Sequence, residues 1–513
     1  ALMFLKYGGD TVRFRYRPFT GADSSPIPET LVLDGQQRLT SIYTAMFSQN
    51  PVPTKTDKNK EIRRFYYLDI AKSLSSSIDR LDAIISTPED KQIKENFGRD
   101  IILDVSSKEK EFENHMFPIN IVYDRTATSK WRNDYQKFHN YNSDIVEQFD
   151  NFDVEVLQAI YGYKVPVITL GKDIPKEAVC QVFENVNTGG VSLTVFELVT
   201  AAFAADNFEL RKDWDNRYES MVNKNDILSV VSSTDFLTAT TLISRYYINQ
   251  SGGEAVSCKK KDVLSLHLDE YKKYVEKLTT GFIRAAHFLK EQRIFAARDL
   301  PYSTQLIPLT VILTILGSKA EDSTVKSKIA RWYWSGVFGE MYGGANETRY
   351  VNDVTGVMNW INGGNEPDTV NRAYFQPTRL LSLQSRLSAA YKGVMALLLK
   401  AGAVDFISGS DMGYTNFTEQ AIDIHHIFPR AYCEGKYKRE QWNSIVNKTP
   451  ISARTNRTIG GSAPSKYLAK IERDDHVTRE DLNRFVSTHY IDVNSLRSDM
   501  FPDFFVERAK GIL

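Results

Sequence analysis

The sequence predicts an α+β protein built from several domains, and three stretches carry that expectation. The first fifty residues hold β-type runs, ALMFLKY and TVRFRYRPF, then LVLD and an amphipathic helical pattern, LTSIYTAMF. Residues from about 207 to 400 follow a helical period almost throughout. After residue 422 the order reads strand, loop, strand, helix. The chain has 513 residues, enough for roughly two to four domains. We place them at 1–206, 207–404 and 405–513.

Ala1 already lies inside a β-type run, which leads us to expect further residues upstream. TVRFRYRPF alternates partly and reads as a second strand, and Leu31–Asp34 as a third. Asp34-Gly35 supplies a turn, after which Leu39, Ile42, Tyr43 and Met46 recur at helical spacing. TKTDKNKE (54–61) is a charged, solvated loop. Arg64–Leu68 and Lys164–Leu170 read as strands, with a mixed region at 75–160 between them. Glu177–Asn185 reads as a helix that stops at Asn187-Thr188-Gly189-Gly190. Thr194 and Glu197 have the spacing of a capping box opening the next helix. In the helical stretch, loops fall near Ser251-Gly252-Gly253 and Asn362-Gly363-Gly364. Leu380, Leu381, Leu387, Tyr391, Val394, Met395 and Leu398 form one apolar helix face ending at Gly402. The aromatic stretch at 331–344 offers faces on which bases could stack. Trp and Tyr in helical domains mostly serve the core, and core packing is the reading adopted.

Apolar residues make up 42% of the chain and charged residues 25%, with a net charge of +0. A large core can be buried, and no overall field draws the chain to nucleic acid or membrane, so a nucleic-acid site has to be a local patch. Cys180, Cys258 and Cys433 are scattered and form no CxxC pair. That argues against a disulfide framework and a zinc ribbon and favours a reducing compartment. The longest apolar run, Leu306–Leu316, is too short to span a bilayer and no secretory pattern opens the chain, so no membrane partner is expected.

Asp34, Gly35, Gln36, Gln37 and Arg38 sit between a buried strand and a helix, where polar side chains are poor packing material. The first turn of a helix has free backbone amides and a positive dipole end, both suited to an anion. Arg38 adds a planar fork of donors that fits phosphate. Asp34 could hold a metal or a water, and two glutamines supply further donors and acceptors. The plainer alternative is that Asp34 caps the helix and the rest are solvated. No GxxxxGK[ST] occurs, which excludes a P-loop. Asn187, Gly189 and Gly190 form a second candidate phosphate contact, because two glycines permit close backbone approach. An ordinary helix stop reads the same way.

IDIHHIFP begins at Ile422, and His425 and His426 are adjacent among only eight histidines. Asn447 and Asn456 follow, and a helix starts after Pro464. Strand, loop, strand and helix, with histidines on the first strand and asparagines after it, is the layout of a ββα-metal (HNH) nuclease. Phosphodiester hydrolysis needs a base near the working pH and a cation facing the developing charge. His426 is read as the general base, Asn447 as the brace of the loop and imidazole, and His425 and Asn456 as ligands of Mg²⁺ or Mn²⁺. From Asp423 to Lys470 there are nine Lys and Arg against three acids. That excess fits a phosphate-backbone track through Arg430, Lys438, Arg454, Arg457 and Lys466, although a solvated face is the plain reading of any charge run.

LVLDGQQRLTSIYTAMF, FENVNTGGVSLTVFEL and DIHHIFP, in this order, resemble the bacterial defence proteins that join an N-terminal DGQQR domain to a C-terminal HNH domain. These include the GmrSD-type modification-dependent (type IV) restriction endonucleases, the BREX-associated nuclease BrxU and the phosphorothioate-dependent SspE. The resemblance implies a ParB/sulfiredoxin-like α/β fold for the first part, a helical middle and a C-terminal ββα-metal HNH domain. It implies hydrolysis of ATP or GTP at Asp34–Arg38, and cleavage or nicking of double-stranded, modified phage DNA in the bacterial cytoplasm. A homodimer is compatible with it. The family usually carries an upstream segment of the type IP-x-FQR, which would precede Ala1. The position before the base is often acidic in HNH proteins, and here it is His425, a softer ligand. Two further readings stay open: a non-catalytic, nucleotide-sensing DNA-binding defence protein, and an RNA-directed HNH nuclease.

Overall fold

The structure, a computed structural model, describes residues 2–7, 18–19, 27–56, 60–76, 79–95, 100–172, 174, 194–223, 225–344, 346–413 and 422–513. The expected helix at 177–185, Cys180, Asn187, Gly189, Gly190 and nearly all of TVRFRYRPF lie outside these residues. The chain is α+β and divides into two compact units, Ala1–Thr188 and Gly189–Leu513.

The first unit contains strands β1 (Leu2–Lys6), β2 (Thr30–Asp34), β3 (Val52–Lys55), β4 (Glu61–Asp69), β5 (Ile84–Thr87), β6 (Gln92–Glu95), β7 (Asp100–Asp104), β8 (Met116–Pro118) and β9 (Val167–Leu170). β1 is central in a small sheet, antiparallel to β2 and parallel to β9. β4 pairs antiparallel with β3, β5 and β8, and β6 pairs with β7. The charged stretch at 54–61 is therefore only partly loop, because Thr54 and Lys55 end β3 and Glu61 opens β4. The strand expected from Lys164 begins at Val167, after Pro166, which has no amide for a ladder. The unreadable 75–160 region holds an aromatic core in which Phe112, Phe117, Trp131, Tyr135, Phe149 and Phe152 meet. Apart from helices Arg125–Phe138 and Ser143–Phe152 its elements are short, and contacts between residues distant in sequence bring them together.

The second unit is helical up to residue 400. Thr194 and Glu197 form the expected capping box at the start of helix Val195–Ala204. Helix Leu306–Leu316 is its centre, with all but Thr314 and Ile315 buried. Short 3-10 turns extend it, so that Ser303–Glu321 is long and apolar enough, by length and composition, to cross a membrane. The apolar run alone suggested otherwise. In this fold the helix packs against helices Ser233–Gln250, Leu268–Glu291 and Glu347–Ile361. Gly281 lets helix Leu268–Glu291 come close, since a Cβ there would lie 2.0 Å from Thr314 Oγ1. Trp332, Tyr333 and Tyr342 of the aromatic stretch are buried in this core.

The expected helix face from Leu380 to Leu398 is interrupted. Helix Arg379–Ser382 ends, residues 383–388 leave the helical path, and helix Ala389–Lys400 follows. Leu387, assigned to the apolar face, is 90% exposed. Strands β10 (Ile422–His426) and β11 (Lys448–Ser452) then form an antiparallel pair, followed by helices Ala453–Ile459, Pro464–Asp474, Arg479–Ser487 and Phe501–Ile512. Leu380, Leu383, Tyr391 and Val394 share one core cluster with Ile445 and Val446, so residues on both sides of position 404 are packed together.

Candidate functional site

The turn between β2 and helix Gln36–Phe47 is built on Gly35. Its φ is 93°, which strains any L side chain, and a Cβ would come 2.3 Å from Leu2 Cδ2, so the Leu2 side chain would have to move. Gly35 occupies the cap position, and no side chain caps the helix. Asp34 instead accepts a hydrogen bond from Arg38 Nη2 at 2.5 Å, one helical turn on. Gln36, Gln37 and Arg38 are exposed. The helix start therefore presents an ion pair and amide side chains to solvent.

The second candidate site lies on the β10–β11 pair. His425 is opposite Thr449 and His426 opposite Lys448, so the adjacent histidines take opposite faces. The loop joining the strands is braced by Asn447. Its fully buried side chain accepts from Phe428 N at 2.8 Å and donates to Phe428 O and Trp442 O at 2.9 and 2.8 Å. All of its hydrogen bonds here go to backbone, and it makes none to an imidazole.

His426 is half-buried, with Nε2 3.2 Å from Asn443 Oδ1 and the ring tilted on Trp442. Burial lowers its pKa below the ordinary histidine value, the bond to Asn443 opposes that shift, and the charges of Lys448, Arg430 and Arg386 reinforce it. A neutral ring at neutral pH is what a proton acceptor requires. Lys448, one of the nine cations between Asp423 and Lys470, is buried, with Nζ donating to Gln384 O at 2.8 Å. Burial pushes its pKa down to about 8. Arg430, Lys438, Arg454, Arg457 and Lys466 are exposed, as a phosphate track requires. Arg430 is paired with Glu434 at 3.0 Å, and Arg454 with Asp475 at 2.8 Å.

Asn456 lies on helix Ala453–Ile459, which packs against both strands and so belongs to the same ββα unit as His425. Nε2 of His425 is shielded from solvent. Among the described residues no group of three or more His, Cys, Asp and Glu could hold a metal. The candidate donors are therefore one imidazole and one amide. That set fits a hard, largely hydrated ion such as Mg²⁺ or Mn²⁺ and does not fit a fully protein-ligated zinc.

Several site residues were not singled out from the sequence. Asp405 is buried and holds the start of helix Ala453–Ile459, accepting from Ser452 N at 2.8 Å and Thr455 Oγ1 at 2.7 Å. Burial opposes its ionisation, but these donors outweigh it and hold its pKa below the ordinary carboxylate value. Gln384 and Arg386 reach the β10–β11 pair from the interrupted helix, with Arg386 Nη2 donating to Ile424 O at 3.0 Å. The polar Gln384-Ser385-Arg386 break in an otherwise apolar period was the available signal.

His489 lies beneath β11, fully buried. Its Nε2 donates to Val404 O at 2.7 Å and its Nδ1 accepts from Thr449 Oγ1 at 2.5 Å. Burial, and to a smaller extent the charge of Arg508, lowers its pKa to about 4, against the opposing bond to Val404. The unfolded chain protonates histidine near pH 6.5, so between those values it binds the proton that the folded chain refuses. Stability is therefore lost as pH falls from about 6.5 towards 4, by about 3 kcal/mol. Urea midpoints measured from pH 7.5 to 4.5 are expected to fall steeply in the wild type and less steeply in His489→Gln. Parallel slopes would remove His489 as the source.

Residues 5–204 match the family described as GmrSD restriction endonuclease, N-terminal domain. Over 466 residues the chain is 27% identical to an uncharacterized protein of Methanocaldococcus jannaschii, an alignment that covers 86% of this chain and 73% of that protein.

Proposed function

We propose that this chain is a DNA-cleaving defence enzyme of the restriction-endonuclease kind. In this reading the β10–β11 unit carries an HNH-type phosphodiesterase site, and Asp34–Arg38 binds and hydrolyses a nucleoside triphosphate, ATP or GTP. The observation that carries it is His426, a half-buried imidazole with lowered pKa on a hairpin whose loop is braced by Asn447. The similarity of residues 5–204 to the N-terminal domain of GmrSD restriction endonucleases supports DNA as substrate and defence as the role.

In the proposed reaction His426 takes a proton from a water aligned on the phosphorus. Asn443 holds the ring, and the positive charges of Arg386, Arg430 and Lys448 favour the approach of the anionic backbone. His425 and Asn456 would hold a divalent ion, which when bound stabilises charge on the phosphate and the leaving oxygen. In the turn after β2, Arg38 and the first amides of the helix would meet the phosphates of the triphosphate. We place the substrate as double-stranded, modified phage DNA and the setting as the bacterial cytoplasm.

The test incubates the protein with plain, glucosyl-hydroxymethylcytosine and phosphorothioate duplexes, with Mg²⁺ or Mn²⁺, with and without ATP or GTP, and in parallel with RNA. Cleavage of a modified duplex that EDTA abolishes is expected. Arg38→Ala is expected to lower triphosphate hydrolysis by about tenfold or more, the scale of one charge-assisted hydrogen bond. Binding without turnover under every condition overturns the nuclease, RNA-only cleavage overturns the substrate, and undiminished hydrolysis in Arg38→Ala removes the Asp34–Arg38 turn from the nucleotide site.

A further inference from the structure

We propose that Asn443 and Gln384 are positioning residues that fix the tautomer and orientation of the His426 ring, holding it as the Nε2–H form with Nδ1 as the proton acceptor. The proposal rests on the reading of His426 as the base. It comes from a chain of hydrogen bonds whose direction is set at one end.

That end is the carbonyl oxygen of Leu381, which can only accept. The Gln384 amide meets it through Nε2 at 3.3 Å. Turning this amide over would set oxygen against oxygen, so Gln384 Oε1 must face the other way, towards Asn443. Asn443 answers with Nδ2, at 3.2 Å from Gln384 Oε1. Its Oδ1 then faces His426 Nε2, at 3.2 Å. An amide oxygen only accepts, so Nε2 carries the hydrogen, and in a neutral imidazole the lone pair is left on Nδ1. Neither amide nor the ring can be reversed alone without creating a donor–donor or acceptor–acceptor clash.

The anchor itself is held in place. Ile445 N donates to Leu383 O at 2.8 Å, Lys448 Nζ to Gln384 O at 2.8 Å, and Arg386 Nη2 to Ile424 O at 3.0 Å. Residues 383–386 are thereby joined to β10, to β11 and to the turn that precedes β11. This is the segment where the helical period breaks off, and the break puts a glutamine beside the histidine's own partner.

The test uses full-length protein labelled with ¹⁵N-histidine, in which long-range ¹H–¹⁵N spectra distinguish the two ring nitrogens, with His426→Ala to assign the signal. At a pH where the ring is neutral, wild-type His426 is expected as Nε2–H alone. An Nδ1–H form in the wild type overturns the proposal without any variant. Asn443→Ala and Gln384→Ala are expected to give averaged, two-tautomer shifts and about a tenfold loss in kcat with KM for DNA within twofold, since a loosened ring costs alignment. Asn443→Asp keeps an acceptor facing Nε2 and is expected to keep the Nε2–H form, although its second oxygen faces Gln384 Oε1 and the link to Gln384 is lost. Wild-type shifts and kcat in both alanine variants would refute the relay, while the nuclease reading stands as long as His426→Ala is inactive. If His426→Ala cleaves normally, the nuclease reading fails and the ring spectrum alone decides the relay.

Discussion

Replacing His426 by alanine is expected to lower metal-supported DNA cleavage by about 10²–10⁴-fold, the range over which a positioned proton acceptor acts. The fold should survive, because His426 is half-buried at the end of β10 and its hydrogen-bond partner Asn443 is also held by Gln384. DNA binding is expected to be unchanged or nearly so, since it is proposed to rest on exposed cations such as Lys438, Arg457 and Lys466. The dependence on Mg²⁺ or Mn²⁺ concentration should also hold its midpoint, because the ring is proposed to move a proton and not to bind the ion. His425→Ala is expected to behave oppositely, displacing the metal midpoint upward before the maximum rate falls. Cleavage rates across a metal titration for the two variants separate these roles. Undiminished cleavage in His426→Ala would end the nuclease assignment.

The parts of this molecule that could be read from its sequence are those whose causes are local. Asp34-Gly35 before an amphipathic run specifies a strand, a turn and a helix within about a dozen residues, and these are β2, Gly35 and helix Gln36–Phe47. Thr194 and Glu197 specify a helix start because the two bonds of a capping box lie within one turn. His425 and His426 could be singled out because two adjacent imidazoles on a short strand are an unusual use of residues.

What could not be read depends on contacts between distant residues. Gln384 meets Asn443, and Asp405 meets Ser452 and Thr455, across dozens of residues. No periodicity records such partners. The clearest case is Leu387. Its spacing continues an apolar face, but the segment from 383 to 388 is drawn onto the β10–β11 pair by bonds to Leu383 O, Gln384 O and Ile424 O, and Leu387 is left in solvent. A local pattern was overridden where backbone carbonyls and a lysine offered stronger terms. The same argument explains Lys448, which charge counting places on the surface and the β10–β11 register places opposite His426 in the interior.

Arg508 gives the largest expected effect on stability. It lies on helix Phe501–Ile512, fully buried, and no carboxylate pairs with it among the described residues. Burial lowers its pKa to about 9, so it keeps its charge at neutral pH. That charge is met by backbone carbonyls: Nε donates to His489 O at 3.1 Å, and Nη1 to Lys448 O at 2.9 Å, to Val446 O and, more weakly, to Ile445 O at 3.5 Å. The carbonyls of Val446 and Lys448 flank Asn447, so Arg508 and Asn447 fix one loop from its carbonyls and from its side chain. In Arg508→Ala the carbonyls stay buried without their donor and a cavity opens beside Tyr467 and Tyr391. Each stranded group costs about 1–3 kcal/mol and an emptied core site adds to that. A total loss of about 3–5 kcal/mol is expected, on the scale of breaking a buried charged contact. Arg508→Met refills the space but offers no donor, and Arg508→Lys restores charge but cannot span carbonyls on both His489 and the loop. The expected order of urea midpoints is therefore wild type, then Lys, then Met, then Ala. If Arg508→Met matched the wild type, the guanidinium would be a dispensable filler and the loop would be held by Asn447 alone. Because the loop leads directly into Lys448 and β11, the same variants are expected to lose nuclease rate in the order in which they lose stability, well below their unfolding temperatures.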